Sequence, residues 1–267
     1  MTDASGIDWE DAFANAAHIP GGEGFPDLWQ TAAERFRGAA DGQIDIAYGD
    51  APRARLDLFR PSGPARGLAV FLHGGFWLAF DKSYWSHLAS GALAHGWAVA
   101  LPSYTLAPEA RVGEIVLQVG RAVACAAGMI DGPFRLAGHS AGGHLAARMV
   151  CEDSPLPAEI GARIARVVSI SGVHDLRPLQ LHSMNRTLRL DPDEAAAESP
   201  VLHRLRPGVA VTAWVGAAER PEFLRQSALL AEAWQVPLVA DPGRHHFDVI
   251  DGQADPAHPL SHCLAGE

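Results

Sequence analysis

The stretch Phe134-Arg135-Leu136-Ala137-Gly138-His139-Ser140-Ala141-Gly142-Gly143-His144-Leu145 decides the fold. It runs as a short apolar strand, then Gly-x-Ser-x-Gly, then the small and apolar residues that open a helix. A serine at a tight turn between strand and helix is held in a strained backbone, and glycines beside it leave room where side chains would collide. Such a turn lifts the Ser140 hydroxyl to the carboxyl edge of a sheet. It also aims the first amides of the next helix, Ala141 among them, at the same place, where they favour negative charge. The plainer alternative is a glycine-rich turn whose serine caps a helix. The rest of the chain decides between the two.

Outward from this stretch, nearly continuous apolar runs over 68–72, 97–101, 134–137, 167–170, 209–215 and 236–239 have the pattern of strands buried on both faces. Helical patterns at 84–95, 112–127, 143–152 and 221–234 lie between most of them. This alternation predicts an α/β architecture, a parallel sheet with helices on both faces. Ahead of these runs, 43–48 and 55–59 alternate apolar and polar residues around the turn residues Gly49-Asp50-Ala51-Pro52. That pattern predicts an antiparallel hairpin at the sheet edge, and eight strands in all. Residues 1–38 read as an N-terminal arm with a helix over 26–37, whose aromatics Trp9, Phe13, Phe25 and Trp29 either pack ordinarily or reach a pocket mouth. The charged, proline-rich segment 176–206 is the one long departure, a small cap segment or a surface excursion. No repeat, low-complexity tract or boundary divides the chain, so 1–267 reads as one domain.

Hydrophobic residues make up 48% of the 267 and charged residues 19%, enough apolar surface for a large buried core. A net charge of -10 argues against nucleic acid or an anionic membrane as partner. A small-molecule substrate is the expected partner, and a homodimer stays open. Cys125, Cys151 and Cys263 are few, widely spaced and odd in number, which points to a reducing compartment without a disulfide framework. The opening Met1-Thr2-Asp3-Ala4-Ser5-Gly6 has neither the basic nor the apolar region of a secretory leader, and no apolar run reaches the length of a membrane span. The expected location is the cytoplasm.

A serine hydroxyl is a poor nucleophile near neutral pH and needs a base, an orienting acid and an oxyanion hole. Val70-Phe71-Leu72-His73-Gly74-Gly75-Phe76-Trp77 runs a buried strand into His-Gly-Gly. The backbone amides of Gly75 and Phe76, with Ala141, are the candidate oxyanion donors; Phe76 stands where the related His-Gly-Gly-Gly loops have their third glycine, and a backbone amide serves with any side chain. For the acid, Glu219 lies just past the run 209–215, before a helix opened by Pro221, and Asp175 after the preceding strand is its rival. Glu222 falls in a first helical turn, where the helix dipole explains it. For the base, His245 and His246 both follow the last strand. Trp77 and His139, beside the oxyanion loop and the serine, are the expected substrate contacts, and Phe80, Tyr84 and Trp85 extend a possible aromatic wall.

Taken together, His73-Gly74-Gly75-Phe76-Trp77, Gly138-His139-Ser140-Ala141-Gly142-Gly143-His144-Leu145, Val215-Gly216 with Glu219, Pro221-Glu222-Phe223-Leu224-Arg225-Gln226-Ser227 and His246-Phe247 resemble the kynurenine formamidase (arylformamidase) branch of the α/β-hydrolases. The likeness extends through Ser171-Gly172-Val173, Asp175-Leu176 and Ser199-Pro200, over nearly the whole chain. The single motifs are shared by many esterases, whereas Pro-Glu-Phe-x-Arg-Gln-Ser is more specific. The resemblance implies an α/β-hydrolase fold, with Ser140 as nucleophile, His246 as base, and the acid at Glu219, where the family usually carries aspartate. It gives Asp175 a structural role. It further implies metal-independent hydrolysis of small carboxylic esters or aryl formamides of the N-formylkynurenine kind, with no cofactor.

Two other readings compete. One is a non-catalytic ligand-binding protein on the same scaffold. The other makes His245, His246, His258 and His262 a zinc site, against which adjacent histidines on a helix do not face one another.

Overall fold

The computed structural model describes residues 6–266. Residues 1–5 of the expected arm, and with them the expected absence of a leader, lie outside the described residues. Eight strands form one sheet: β1 Gly42–Ala47, β2 Arg55–Phe59, β3 Leu68–Leu72, β4 Ala98–Pro102, β5 Phe134–His139, β6 Ile164–Ile170, β7 Ala210–Gly216 and β8 Leu238–Asp241. They lie in the order β1-β2-β4-β3-β5-β6-β7-β8. The β1–β2 and β2–β4 pairs are antiparallel and all others parallel, so an antiparallel hairpin edges a parallel sheet as the sequence predicts.

The apolar runs of β3, β4 and β5 are continuous because both faces are covered; β8, expected to be buried on both faces, lies at the sheet edge instead, with Leu238 43% exposed. Along β3, Leu68, Val70 and Leu72 point into one core, shared with Val112, Ile115, Val119 and Val123 of the helix Val112–Ala127. The alternate residues Ala69 and Phe71 point into the other, with Trp29, Trp85, Leu260 and Leu264. Each fully buried large apolar side chain contributes about 1.5–3 kcal/mol.

Several helices depart from expectation. The helix expected over 143–152 begins at Ala141, directly after the turn, and ends at Arg148. In place of one helix over 84–95, two short 3-10 turns, Lys82–Tyr84 and Ser86–Leu88, precede a helix confined to Ala89–Ala94. The helix Pro259–Ala265 is unanticipated: His258 accepts the Leu260 amide at its start, and Leu260, Leu264 and Ala265 bury its inner face. Segment 176–206 holds short helical turns, including Asn185–Leu188 and Pro192–Ala197, packed beside the sheet.

The arm crosses the carboxyl end of the sheet. Trp9 and Phe13 enter one core and Trp29, on the helix Phe25–Arg37, enters the other. Polar ties hold it in place: Asp11 pairs with Arg220, and the Glu10 carboxylate accepts from the Ser183 amide at 2.5 Å and its hydroxyl at 2.8 Å.

The hairpin edge is locked by a buried ion pair. Asp57 in β2 is fully buried and lies 2.7 Å from Lys82 Nζ, which also meets Asp45 at 2.7 Å. Removing one partner of a buried pair leaves an uncompensated charge, at roughly 3–5 kcal/mol. Lys82→Met is expected to destabilise the fold by that amount in urea denaturation. Asp45→Asn, at a side chain 68% exposed, is expected to cost less than about 1 kcal/mol. Equal effects would contradict this assignment.

Candidate active site

Strand register assembles the site before any side chain is considered. Leu72 of β3 lies beside Gly138 of β5, so His73-Gly74-Gly75 leaves the sheet alongside His139-Ser140. His139 pairs with Ile170, Ile170 with Trp214, and Gly216 with Asp241. The turns carrying Ser140, Ser171, Glu219 and His246 therefore emerge at the carboxyl edge of four neighbouring parallel strands, where open α/β sheets place their ligands.

Ser140 sits at φ 56°, ψ -119°. Its amide donates to Ile170 O at 2.9 Å and its carbonyl accepts from the His144 amide at 3.1 Å. A Cβ on Gly138 would lie 2.0 Å from Gly142 O, and one on Gly142 would lie 1.9 Å from Leu72 O. Both positions exclude any other residue. A Cβ on Gly74 would come within 3.1 Å of Ser140 Cβ, so the His-Gly-Gly loop rests directly on the serine.

That loop turns through positive φ at Gly75 (104°), Phe76 (51°) and Trp77 (59°). Strain of this kind persists only where the surroundings impose it. Here His73 stacks on Tyr104 at 4.3 Å, the Tyr104 hydroxyl donates to His73 O at 2.8 Å, and Arg53 Nε donates to Tyr104 O at 2.7 Å. Arg53 also donates to Phe80 O. Among the described residues, the amides of Gly75 and Phe76 donate to no other backbone group.

Glu219 and His246 are buried and joined, with His246 Nδ1 2.6 Å from Glu219 Oε2. The ionised carboxylate only accepts, so Nδ1 carries the proton and Nε2 is left as the basic nitrogen. The other carboxylate oxygen, Oε1, accepts from the Gly216 amide at 2.8 Å and from the Ser171 hydroxyl. Phe223 packs on the His246 ring, with centroids 4.1 Å apart. Asp175 lies elsewhere: its carboxylate is paired with Arg177 at 2.8 Å, and its amide donates to Gln226. Of the tandem histidines, His245 folds back on its own turn, accepting the Phe247 amide at 3.1 Å. Among the described residues, no group of three or more His, Cys, Asp and Glu is placed to hold a metal ion.

Ser140, His139 and His246 share a cavity of about 260 Å³ with the Gly74–Phe76 loop. Its wall is aromatic, from Trp29, Phe80, Trp85 and Phe247. Trp77, expected at the substrate, does not line it. The positive φ at Phe76 and Trp77 turns the indole inward, where it is fully buried and edge-on to His144 at 5.0 Å. His139 does line the cavity, and its Nε2 donates to His246 O at 2.8 Å. Segment 176–206 contributes nothing to the lining, and the arm supplies Asn15, Ala16 and Trp29 instead. Ser171 and Phe223 lie within stretches that carry the resemblance, but their contacts with Glu219 and His246 are made only in the fold, and Asn15 went unassigned because no local motif marks it.

A sequence model described as the alpha/beta hydrolase family matches residues 69–265. The chain belongs to this family. Kynurenine formamidase of Danio rerio is 30% identical over 250 residues, spanning 88% of this chain and 85% of that protein. Esterase LipC of Mycobacterium tuberculosis is 27% identical, over 82% of this chain and 63% of that protein. Among solved structures, a thioesterase-like chain from Silicibacter sp. TM1040 matches at a TM-score of 0.95 and 50% identity, covering 97% of this chain and 99% of that one. Within the family the chain is kynurenine formamidase-like. No helix among the described residues is long and apolar enough to cross a membrane.

Burial also sets the charge of the histidines beneath the site. It pushes His73 and His87 down to about 4, His144 and His174 down to about 3, and His139 well below its ordinary value. The native state keeps them neutral, while the unfolded chain takes up protons below about pH 6.5. Between that pH and about 4 the unfolded state binds more protons, so stability rises with pH and is lost as pH falls. Asp251, raised to about 6 by burial and Asp248, and Glu198, raised by burial, act in the opposite sense but are two groups against five. Thermal unfolding is expected to shift to lower temperature from pH 7 to pH 5, above the range in which ordinary carboxylates titrate. A flat profile there would contradict the assignment.

Proposed function

We propose that this chain is a metal-independent serine hydrolase cleaving small carboxylic esters or aryl formamides through an acyl-enzyme on Ser140. The observation that carries the proposal is the buried Glu219–His246 pair, 2.6 Å apart, opening into the same aromatic cavity as Ser140. His246 takes the proton of the Ser140 hydroxyl as it attacks the acyl carbon, and Glu219 orients the imidazole and stabilises its charged form. The amides of Gly75, Phe76 and Ala141 receive the oxyanion, each worth about 3–4 kcal/mol in the transition state. His246 then protonates the leaving group, and activates the water that releases the acyl group.

The cavity volume favours small substrates. At about 260 Å³ it falls below the roughly 300–1,000 Å³ of sites for drug-sized ligands. Its aromatic wall suits an aryl leaving group beside a short acyl group. Likeness to the kynurenine formamidase of Danio rerio supports the aryl formamide, and the thioesterase-like chain makes a short acyl thioester the competing donor.

Turnover of N-formylkynurenine, p-nitrophenyl acetate and a short acyl thioester tests the reading. The formamide and the ester are expected to be cleaved, and Ser140→Ala to lose roughly 10⁶-fold in kcat while remaining folded. Glu219→Gln, which leaves the imidazole in the wrong tautomer, is expected to lose about 10⁴-fold. Near-native turnover by Ser140→Ala would overturn the mechanism, and cleavage of the thioester alone would overturn the substrate class.

A further inference from the structure

Beyond the triad and the oxyanion amides, we infer that Asn15 determines specificity, its side-chain amide reading a neutral hydrogen-bonding substituent on the aryl leaving group; this rests on the serine-hydrolase reading above. Asn15 is 7% exposed, lines the cavity, and among the described residues its buried Oδ1 has no hydrogen-bond partner. Buried amide oxygens are seldom left unpaired, so one that lines a cavity calls for an explanation.

The backbone that carries this side chain is held in place. Two residues earlier, Phe13 packs edge-on against Phe76 at 6.2 Å and Phe223 at 6.1 Å. On its other side the Asn15 carbonyl accepts from the His18 amide at 3.0 Å. A polar group positioned this way orders a ligand without first being ordered itself.

The lining offers few alternatives. Ser140 and His246 are engaged in the chemistry, and His139 Nε2 donates to His246 O, which leaves its buried Nδ1, unpartnered among the described residues, able only to accept. The Trp85 indole N–H is also buried and unpartnered, but it only donates. Asn15 both donates and accepts. Among the described residues no Lys, Arg, Asp or Glu lines the cavity, so a charged substituent inside it would lack a counter-ion. The group read by Asn15 is therefore neutral, a hydroxyl or a carbonyl.

The test compares kcat/KM for phenyl acetate with its hydroxyphenyl and acetylphenyl counterparts, each as ortho, meta and para isomers, in wild type, Asn15→Leu and Asn15→Asp. Leaving-group electronics cancel when the substituted-to-unsubstituted ratio is compared between proteins. For at least one isomer of each, Asn15→Leu is expected to lower the ratio about tenfold. The nearly isosteric Asn15→Asp, assayed on the alkaline side where its carboxyl is ionised and so accepts but does not donate, is expected to keep the hydroxyl preference and lose the acetyl preference. A packing role alone would not separate donor from acceptor. Ratios unchanged in both variants would overturn the role of Asn15 and leave the serine mechanism standing. Turnover that persists in Ser140→Ala would overturn both.

Discussion

An L-residue at φ 56° and ψ -119° survives only where its surroundings leave it nowhere else to go, and Ser140 is such a residue. The constraint is steric. Gly138 and Gly142 approach each other, and Gly142 approaches the Leu72 carbonyl, more closely than any Cβ allows. The β3–β5 register, with Leu72 beside Gly138, brings these backbones together. The same register lays Gly74 against the serine, so one packing arrangement positions both the hydroxyl and the loop that faces it. Because the sheet is parallel, the turns that complete the site leave from the same edge.

The proposed acid follows from the same geometry, with one accommodation. Glutamate is a methylene longer than the aspartate usual in the resembling family, and its carboxylate needs more anchoring. Gly216 and Ser171 hold Oε1, which presents Oε2 to His246. Gly216 also admits the strand-to-histidine loop, since a Cβ there would lie 2.3 Å from Arg244 O. The low-dielectric setting that strengthens the Glu219–His246 bond also holds His139 neutral beside it, so no second positive charge opposes the imidazolium.

Local patterns made the sheet and the reacting groups legible. The apolar runs locate the strands to within a few residues because the central strands are covered on both faces, and glycines placed beside Ser140 and His73 announce tight turns. Ser140, Glu219 and His246 each follow a strand, and the structure gathers them at one edge. Side-chain direction inside a strained loop is a different matter. Trp77 carries no sequence mark that its φ is positive, and its indole turns into the core. The reach of the arm is equally hidden: Asn15 and Trp29 meet the cavity through tertiary packing across the sheet. Segment 176–206 has the composition of a cover, yet Glu10–Ser183 contacts fasten the arm to it, and the arm supplies Asn15, Ala16 and Trp29 to the cavity wall.

The measurement that tests the central claim most directly is covalent labelling by a fluorophosphonate, followed by intact-mass and peptide mapping. The proposed serine nucleophile predicts a single adduct, on the peptide that carries Ser140, and loss of that adduct in Glu219→Gln at short reaction times. A folded protein that takes up no label, or takes it up at another residue, would contradict the account.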